Sequence, residues 1–224
     1  IWRITAQDKP LQEPPKFAGA SIEELLEIQK RPEYRYRYWA KRELREQDPA
    51  AVEAALDQWV AALDANDPRH RHHQIEAVWN YRNIGRSNTS LLRELLACED
   101  HHARAAATQQ LRYWHSQMPD AVPLLRRSAN DANGLVRMEA AIAASYVGSK
   151  EALDAMLDVF KYPREGHTAY AITCALGSAN LRRHWEGNTD YNVAKLLKSA
   201  GRGNLFKEPT PNAIDAQFDS QKDL

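Results

Sequence analysis

Glycine is scarce in this 224-residue chain, at 9 residues, and stretches of β-branched residues are few. That argues against a sheet-rich fold and leaves Ala, Leu, Glu and Arg, all strong helix formers, to set the structure. No apolar run reaches about 18 residues, so no transmembrane helix is predicted. No basic-then-apolar leader opens the chain; it begins with Ile1 instead of Met, and a processed or excised start is the expectation. Charge of one sign is also lacking: Lys plus Arg number 30, Asp plus Glu number 30, and the formal net charge is zero. A neutral chain has no long-range field to gather nucleic acid or anionic lipid without specific contacts. Cysteine is limited to Cys98 and Cys174. Neither falls in a CxxC or CxxCH motif, so no zinc ribbon or c-type haem site is expected. Each lies in an apolar helical stretch and reads as a small buried hydrophobe. They belong to well-separated helices, which argues against a disulfide.

The chain is long enough to bury a sizeable core, as one solenoid or two small globular domains. Residues 1–20 stand apart. Ile1–Thr5 alternates apolar and polar side chains and reads as a short strand. A lone strand is not stable in water, so its sheet is expected upstream of the sequence. Pro10, Pro14 and Pro15 then make an extended linker. From Ser21 the pattern turns helical. Ser21 and Glu24 form a capping box ahead of Ile22, Leu25 and Leu26, and Pro32 ends that helix. A second helix runs from Tyr34 to about Glu46. Asp48-Pro49 opens a third, to about Leu63, and Asp67-Pro68 repeats the signal for a fourth that stops at Gly85. Further helices are predicted over about 89–97, 101–116, 119–129, 134–147, 150–160, 167–177 and 190–199, with Gly148 and Gly177 as stops.

These helices fall into pairs, and the second member of each pair carries a recurring core. Arg37-Tyr38-Trp39-Ala40 leads to Leu44, Arg104–Ala107 to Leu111, and Arg137–Ala140 to Ala144. Weaker copies start near Gln74 and Thr168, so the starts at 37, 74, 104, 137 and 168 are spaced like the units of helical solenoids. Small residues four apart let paired helices approach closely. Asp131–Arg137 is the sharpest unit: Asp131 can satisfy free amides at the turn and Arg137 can reach back to it. This turn resembles that of HEAT repeats. The predicted fold is an all-α, HEAT-like α-solenoid of about five helix pairs over 21–200, after the strand remnant and Pro-rich linker of 1–20 and before an extended C-terminal linker, 201–224.

The resemblance extends further. Ile1–Thr5 (IWRIT), Tyr36–Arg45 (YRYWAKRELR), Tyr81–Arg86 (YRNIGR), His101–Ala107 (HHARAAA), Gln110–His115 (QLRYWH), Asn133–Ser145 (NGLVRMEAAIAAS) and Leu181–Asn188 (LRRHWEGN) resemble segments of large multidomain proteins of Planctomycetes and Verrucomicrobia. In that family a β-propeller like that of membrane-bound dehydrogenases precedes a HEAT array, and a cupredoxin-like or c-type haem domain commonly follows. The resemblance implies that Ile1–Thr5 closes the propeller and that Glu208–Leu224 leads into the cupredoxin-like domain. It implies a periplasmic or extracellular location and a redox-related parent. The family's copper ligands and haem motif have no matching positions here, so no cofactor is assigned to this chain.

Catalytic and metal-binding patterns are thin. His70, His72 and His73 open one helix, but a metal site needs a third ligand with outer support, and Arg69 and Arg71 repel cations. The adjacent His101 and His102 point about 100° apart on a helix. No His-Glu dipeptide of the kind used by HEAT-fold di-iron hydroxylases is present. The basic groove of helical-repeat DNA glycosylases is not expected in a neutral chain. The remaining candidates are aromatic-arginine segments: Tyr34–Arg42, Trp79–Arg82, Arg112–His115 and Arg182–Trp185. Trp79 with Arg82, and Arg112 with Tyr113 and Trp114, fall near equivalent ends of successive second helices, the helices that line the concave face of such solenoids; Arg182 and Trp185 form a third group. Trp, Tyr and Arg dominate binding hot spots. The simpler reading is that the rings cover the core while the arginines are solvated or paired with acids. The sequence thus predicts a non-catalytic scaffold whose partners are neighbouring domains of the same polypeptide or another protein, with neither nucleic acid nor membrane insertion involved. A stand-alone module binding a protein or glycan on the aromatic-arginine face is the alternative.

Overall fold

The computed structural model describes residues 13–163, 166–193 and 195–196. Eleven α-helices and two short 3-10 turns make up its regular structure, and the described residues contain no strand. The expected strand at Ile1–Thr5 and the expected linker 201–224 lie outside the described residues. The helices gather into two compact units, one ending at Ala103 and one beginning at Arg104.

The first unit holds α1 (Ile22–Ile28), α2 (Tyr34–Arg45), α3 (Pro49–Ala61), α4 (His70–Asn83) and α5 (Thr89–Ala97). The Ser21–Glu24 capping box forms as predicted, each side chain serving the other's backbone. Asp48 caps α3 with Pro49 in its first turn, and Asn88 caps α5. Asp67 behaves differently. Its carboxylate accepts from the Arg69 amide at 2.7 Å inside a turn, and α4 starts later, at His70, with no side-chain cap. Within each pair α1 packs on α2 and α3 on α4. The pairs then stack in two layers, α1 against α3 and α2 against α4. Leu25, Leu26, Leu44, Val52, Leu56 and Val78 fill the space between the layers and are fully or almost fully buried.

The second unit holds the body of α6 (His101–Trp114), then α7 (Ala121–Ala129), α8 (Gly134–Val147), α9 (Lys150–Met156), α10 (Gly166–Gly177) and α11 (Ala179–Trp185). The layering recurs, with α7 against α9 and α8 against α10. Close packing rests on alanines: Ala140, Ala141, Ala143 and Ala144 of α8 are all at 0% exposure. Gly148 ends α8 at φ +67°, and a Cβ there would lie 3.0 Å from Asn180 Cβ, so glycine answers both the backbone and the packing. Helix α11 went unrecognised in the sequence because it is short and polar, and Ser178 at its cap position makes no side-chain cap hydrogen bond. The helix expected at 190–199 lies partly outside the described residues; Val193, Lys195 and Leu196 are helical. Among the described residues neither cysteine is in a disulfide. Cys98 is buried as expected, but Cys174 is exposed, because it lies on the side of α10 facing away from the core.

Candidate functional site

The repeat signal has a clear physical basis at two equivalent arginines. Arg137 Nη1 donates to the carbonyls of Asp131 and Ala132, at 2.7 and 2.8 Å. Arg37 Nη1 does the same to Arg31 and Pro32, at 2.8 and 2.7 Å. Each arginine ties its helix to the turn five and six residues back, satisfying carbonyls that the turn leaves open. Arg137 reaches back to Asp131 as expected, and does so through the backbone carbonyl. The Asp131 carboxylate accepts from the Asn133 amide at 2.8 Å and is gripped by Arg104, Nε to Oδ2 at 2.7 Å and Nη2 to Oδ1 at 3.0 Å. Burial opposes its ionisation, but the Arg104 fork, the Asn133 amide and the nearby guanidiniums hold it below the usual carboxylate range.

In the first unit the same arginine position is joined to a buried carboxylate. Glu76 on α4 is 1% exposed. Arg37 Nε lies 2.8 Å from its Oε1, Lys41 Nζ contacts its Oε2, and His72 Nε2 stands 3.5 Å from Oε1. Burial pushes the Lys41 ammonium below its ordinary value, and Glu76 pulls in the opposite direction. Burial also lowers His72, again opposed by Glu76. Asn83 Nδ2 donates to the Lys41 carbonyl at 2.7 Å, a further tie between α2 and α4.

Above this cluster lies a basic, aromatic pocket. Its volume is about 480 Å³, and Tyr34, Tyr38, Lys41, Arg42, Arg45, Trp79, Arg82 and Asn83 line it. Tyr34 and Tyr38 are stacked at 6.4 Å. Lys41 Nζ sits 4.8 Å from the Trp79 ring, and the Arg42 guanidinium 4.8 Å from the Trp39 ring. Tyr34 is 70% exposed, Tyr38 45% and Trp39 38%, so three adjacent rings of one helix face solvent. No Asp or Glu lines the pocket.

Of the candidates drawn from sequence, Trp79 and Arg82 meet in this pocket. The others have different surroundings. Arg112 is half-buried, paired with Glu139 and 5.6 Å from the Tyr146 ring. Tyr113 is 48% exposed. Trp114 is 3% exposed and packs in the core of its unit. Arg182 pairs with Glu186, and Trp185 Nε1 donates to the Leu176 carbonyl at 2.9 Å. Tyr34, Tyr38, Lys41 and Arg42, from the candidate segment Tyr34–Arg42, line the pocket too, whereas Arg45 and Asn83 were not singled out. Tyr34, Tyr38, Lys41 and Arg45 recur at helical spacing on α2, and that signal could have found Arg45.

A second pocket, of about 470 Å³, lies in the second unit and is mostly apolar, with Met138, Ile142, Ala171, Cys174 and Ala175 among its lining residues. The histidine-rich start of α4 does not assemble a metal site: among the described residues, no group of three or more His, Cys, Asp or Glu side chains could hold an ion. No helix among the described residues is long and apolar enough to cross a membrane.

The layered helix pairs within each unit, with an arginine tied to the turn once in each, define the class as the repeat stacking of HEAT-like α-solenoids. Residues 88–177 match the HEAT repeat family, from the cap of α5 to the end of α10. No curated protein matches the chain.

Proposed function

We propose that this chain is a non-catalytic interaction scaffold and that it receives a protein partner on the α2–α4 pocket. HEAT repeats generally serve protein interaction and scaffolding, and the match over 88–177 supports that class. The observation that carries the docking site is the run of exposed rings on α2, Tyr34, Tyr38 and Trp39, beside Arg42 and Arg45. Aromatic residues and arginine are enriched where proteins bind tightly. The titratable groups beneath the pocket are engaged in an ion-pair cluster that joins two helices, which is a structural role. The resemblance of IWRIT, YRYWAKRELR and the other quoted segments supports a partner within the same polypeptide, in an exported, redox-related multidomain protein.

A photo-cross-linking amino acid at Tyr38, in the polypeptide as it occurs in the cell, tests the site. The expected product is one reproducible link to a protein segment, either another domain of the same polypeptide or a separate chain. The same probe at Gln58, exposed on α3, is the control. Equal labelling from both positions, or none from Tyr38, would overturn the reading. The intact mass of that polypeptide then tells an internal partner from an external one.

A further inference from the structure

The pocket between α2 and α4 has a charge that the chain as a whole lacks. Lys41, Arg42, Arg45 and Arg82 line it, and the formal net charge of the sequence is zero. The carboxylate beneath it, Glu76, is already shared between Arg37 and Lys41. Among the described residues no carboxylate is paired with Arg42 or Arg45, and both side chains are exposed. The Arg42 guanidinium lies 4.8 Å from the Trp39 ring, a cation–π contact that leaves it N–H donors for a planar acceptor.

From this geometry we infer that the pocket holds an acidic peptide segment, with carboxylates on Arg42 and Arg45 and an apolar side chain of the same peptide on the Tyr34 and Tyr38 rings. The inference rests on the docking reading above and names the chemistry of the partner. Four features favour a peptide. Arg42 and Arg45 are three residues apart on a helix, which sets their Cβ atoms about 5–6 Å apart, so one acidic run can engage both. The rings supply an apolar ledge that a free anion would not use. No glycine lines the pocket, so it lacks the loop of backbone amides that cradles phosphate groups. Its volume of about 480 Å³ has room for a few side chains, not for a folded surface.

The test is a titration of the full 224-residue chain with a fluorescent oligoglutamate peptide carrying one central leucine, read by anisotropy at low and at physiological salt. Arg42→Glu and Arg45→Glu should each weaken binding by about tenfold or more, the scale of a lost charge-assisted hydrogen bond. Arg35→Glu makes the same charge change at an exposed position of α2 outside the pocket and should leave binding within about twofold. Tyr34→Ala with Tyr38→Ala should weaken the leucine peptide more than plain oligoglutamate. Circular dichroism of each variant confirms that the helices persist. An equal loss with Arg35→Glu would reduce the effect to general charge and overturn the inference. Competition by inorganic pyrophosphate at equal concentration would make the pocket a phosphate site and overturn it too, as would no binding at low salt. Failure here with a reproducible Tyr38 cross-link would leave the docking reading standing, whereas loss of the cross-link would remove both.

Discussion

Arg37 and Arg137 make the same pair of backbone hydrogen bonds one hundred positions apart in the sequence, and their carboxylate neighbours differ. Around Arg137 the acid is Asp131, at the turn, held by Arg104. Around Arg37 it is Glu76, inside the helix layer and almost without solvent. A buried carboxylate with two cations is stable only as a set, because removing one member strands the others away from water. Glu76→Ala should therefore destabilise the first unit by about 3–5 kcal/mol. Replacing Arg37, Lys41 and Glu76 together by apolar residues of similar volume should recover only part of that loss, because the Arg31 and Pro32 carbonyls then lose their donor. Chemical denaturation followed by far-ultraviolet circular dichroism measures both. A loss below about 1 kcal/mol for Glu76→Ala would mean that water reaches Arg37 and Lys41. The arginine itself was legible, since its recurrence marked the repeat. Its partner was not, because nothing in the local pattern of α4 distinguishes a buried glutamate from a solvated one.

Among the elements, α4 departs furthest from its sequence signals. Asp67-Pro68 looks like the Asp48-Pro49 cap, yet the Asp67 carboxylate is taken by the Arg69 amide, and the helix opens three residues on among Arg69, Arg71, His72 and His73. His73 is 2% exposed, its ring 6.4 Å from Trp59 and its Nε2 3.3 Å from Asp67 Oδ2. Burial lowers its proton affinity, Arg69 adds to the effect, and Asp67 only partly offsets it. The sign of the pH dependence follows. The unfolded chain takes up a proton on His73 near the ordinary value of about 6.5, while the folded chain resists it. The first unit should lose stability as pH falls below about 6.5, and His73→Leu should flatten that slope. Thermal denaturation between neutral and mildly acid pH compares the two; an unchanged slope would show that His73 is not the group responsible. Elsewhere caps and stops were readable: Ser21, Asp48 and Gly148 each act where the pattern put them. The pocket was only half readable. Trp79 and Arg82 drew notice on α4, but their meeting with Tyr34, Tyr38 and Arg45 depends on α2 stacking against α4, which no local spacing encodes.

For the molecule as a whole, the decisive quantity is how charge is distributed, not how much there is. Thirty basic and thirty acidic side chains cancel. Many of them also cancel locally, as in the Glu27–Lys30, Glu53–Arg86, Glu94–Arg71, Asp131–Arg104 and Glu139–Arg112 pairs. A basic lining survives at the α2–α4 pocket. Binding to a duplex draws on many phosphates tracked along a charged surface, with affinity that falls steeply as salt rises. A single pocket can offer only a few such contacts. At physiological salt the chain should show no duplex DNA complex in the range typical of non-specific binders, a Kd of about 10⁻⁴–10⁻⁶ M. Electrophoretic mobility shift at graded salt makes the comparison. A complex within that range, weakened in proportion by Arg42→Glu and by Arg35→Glu alike, would show that α2 presents an extended basic face to a polyanion. The absence of one, beside acidic-peptide binding that depends on Arg42 and not on Arg35, would confine the attraction to the pocket, where rings and guanidiniums together select a peptide.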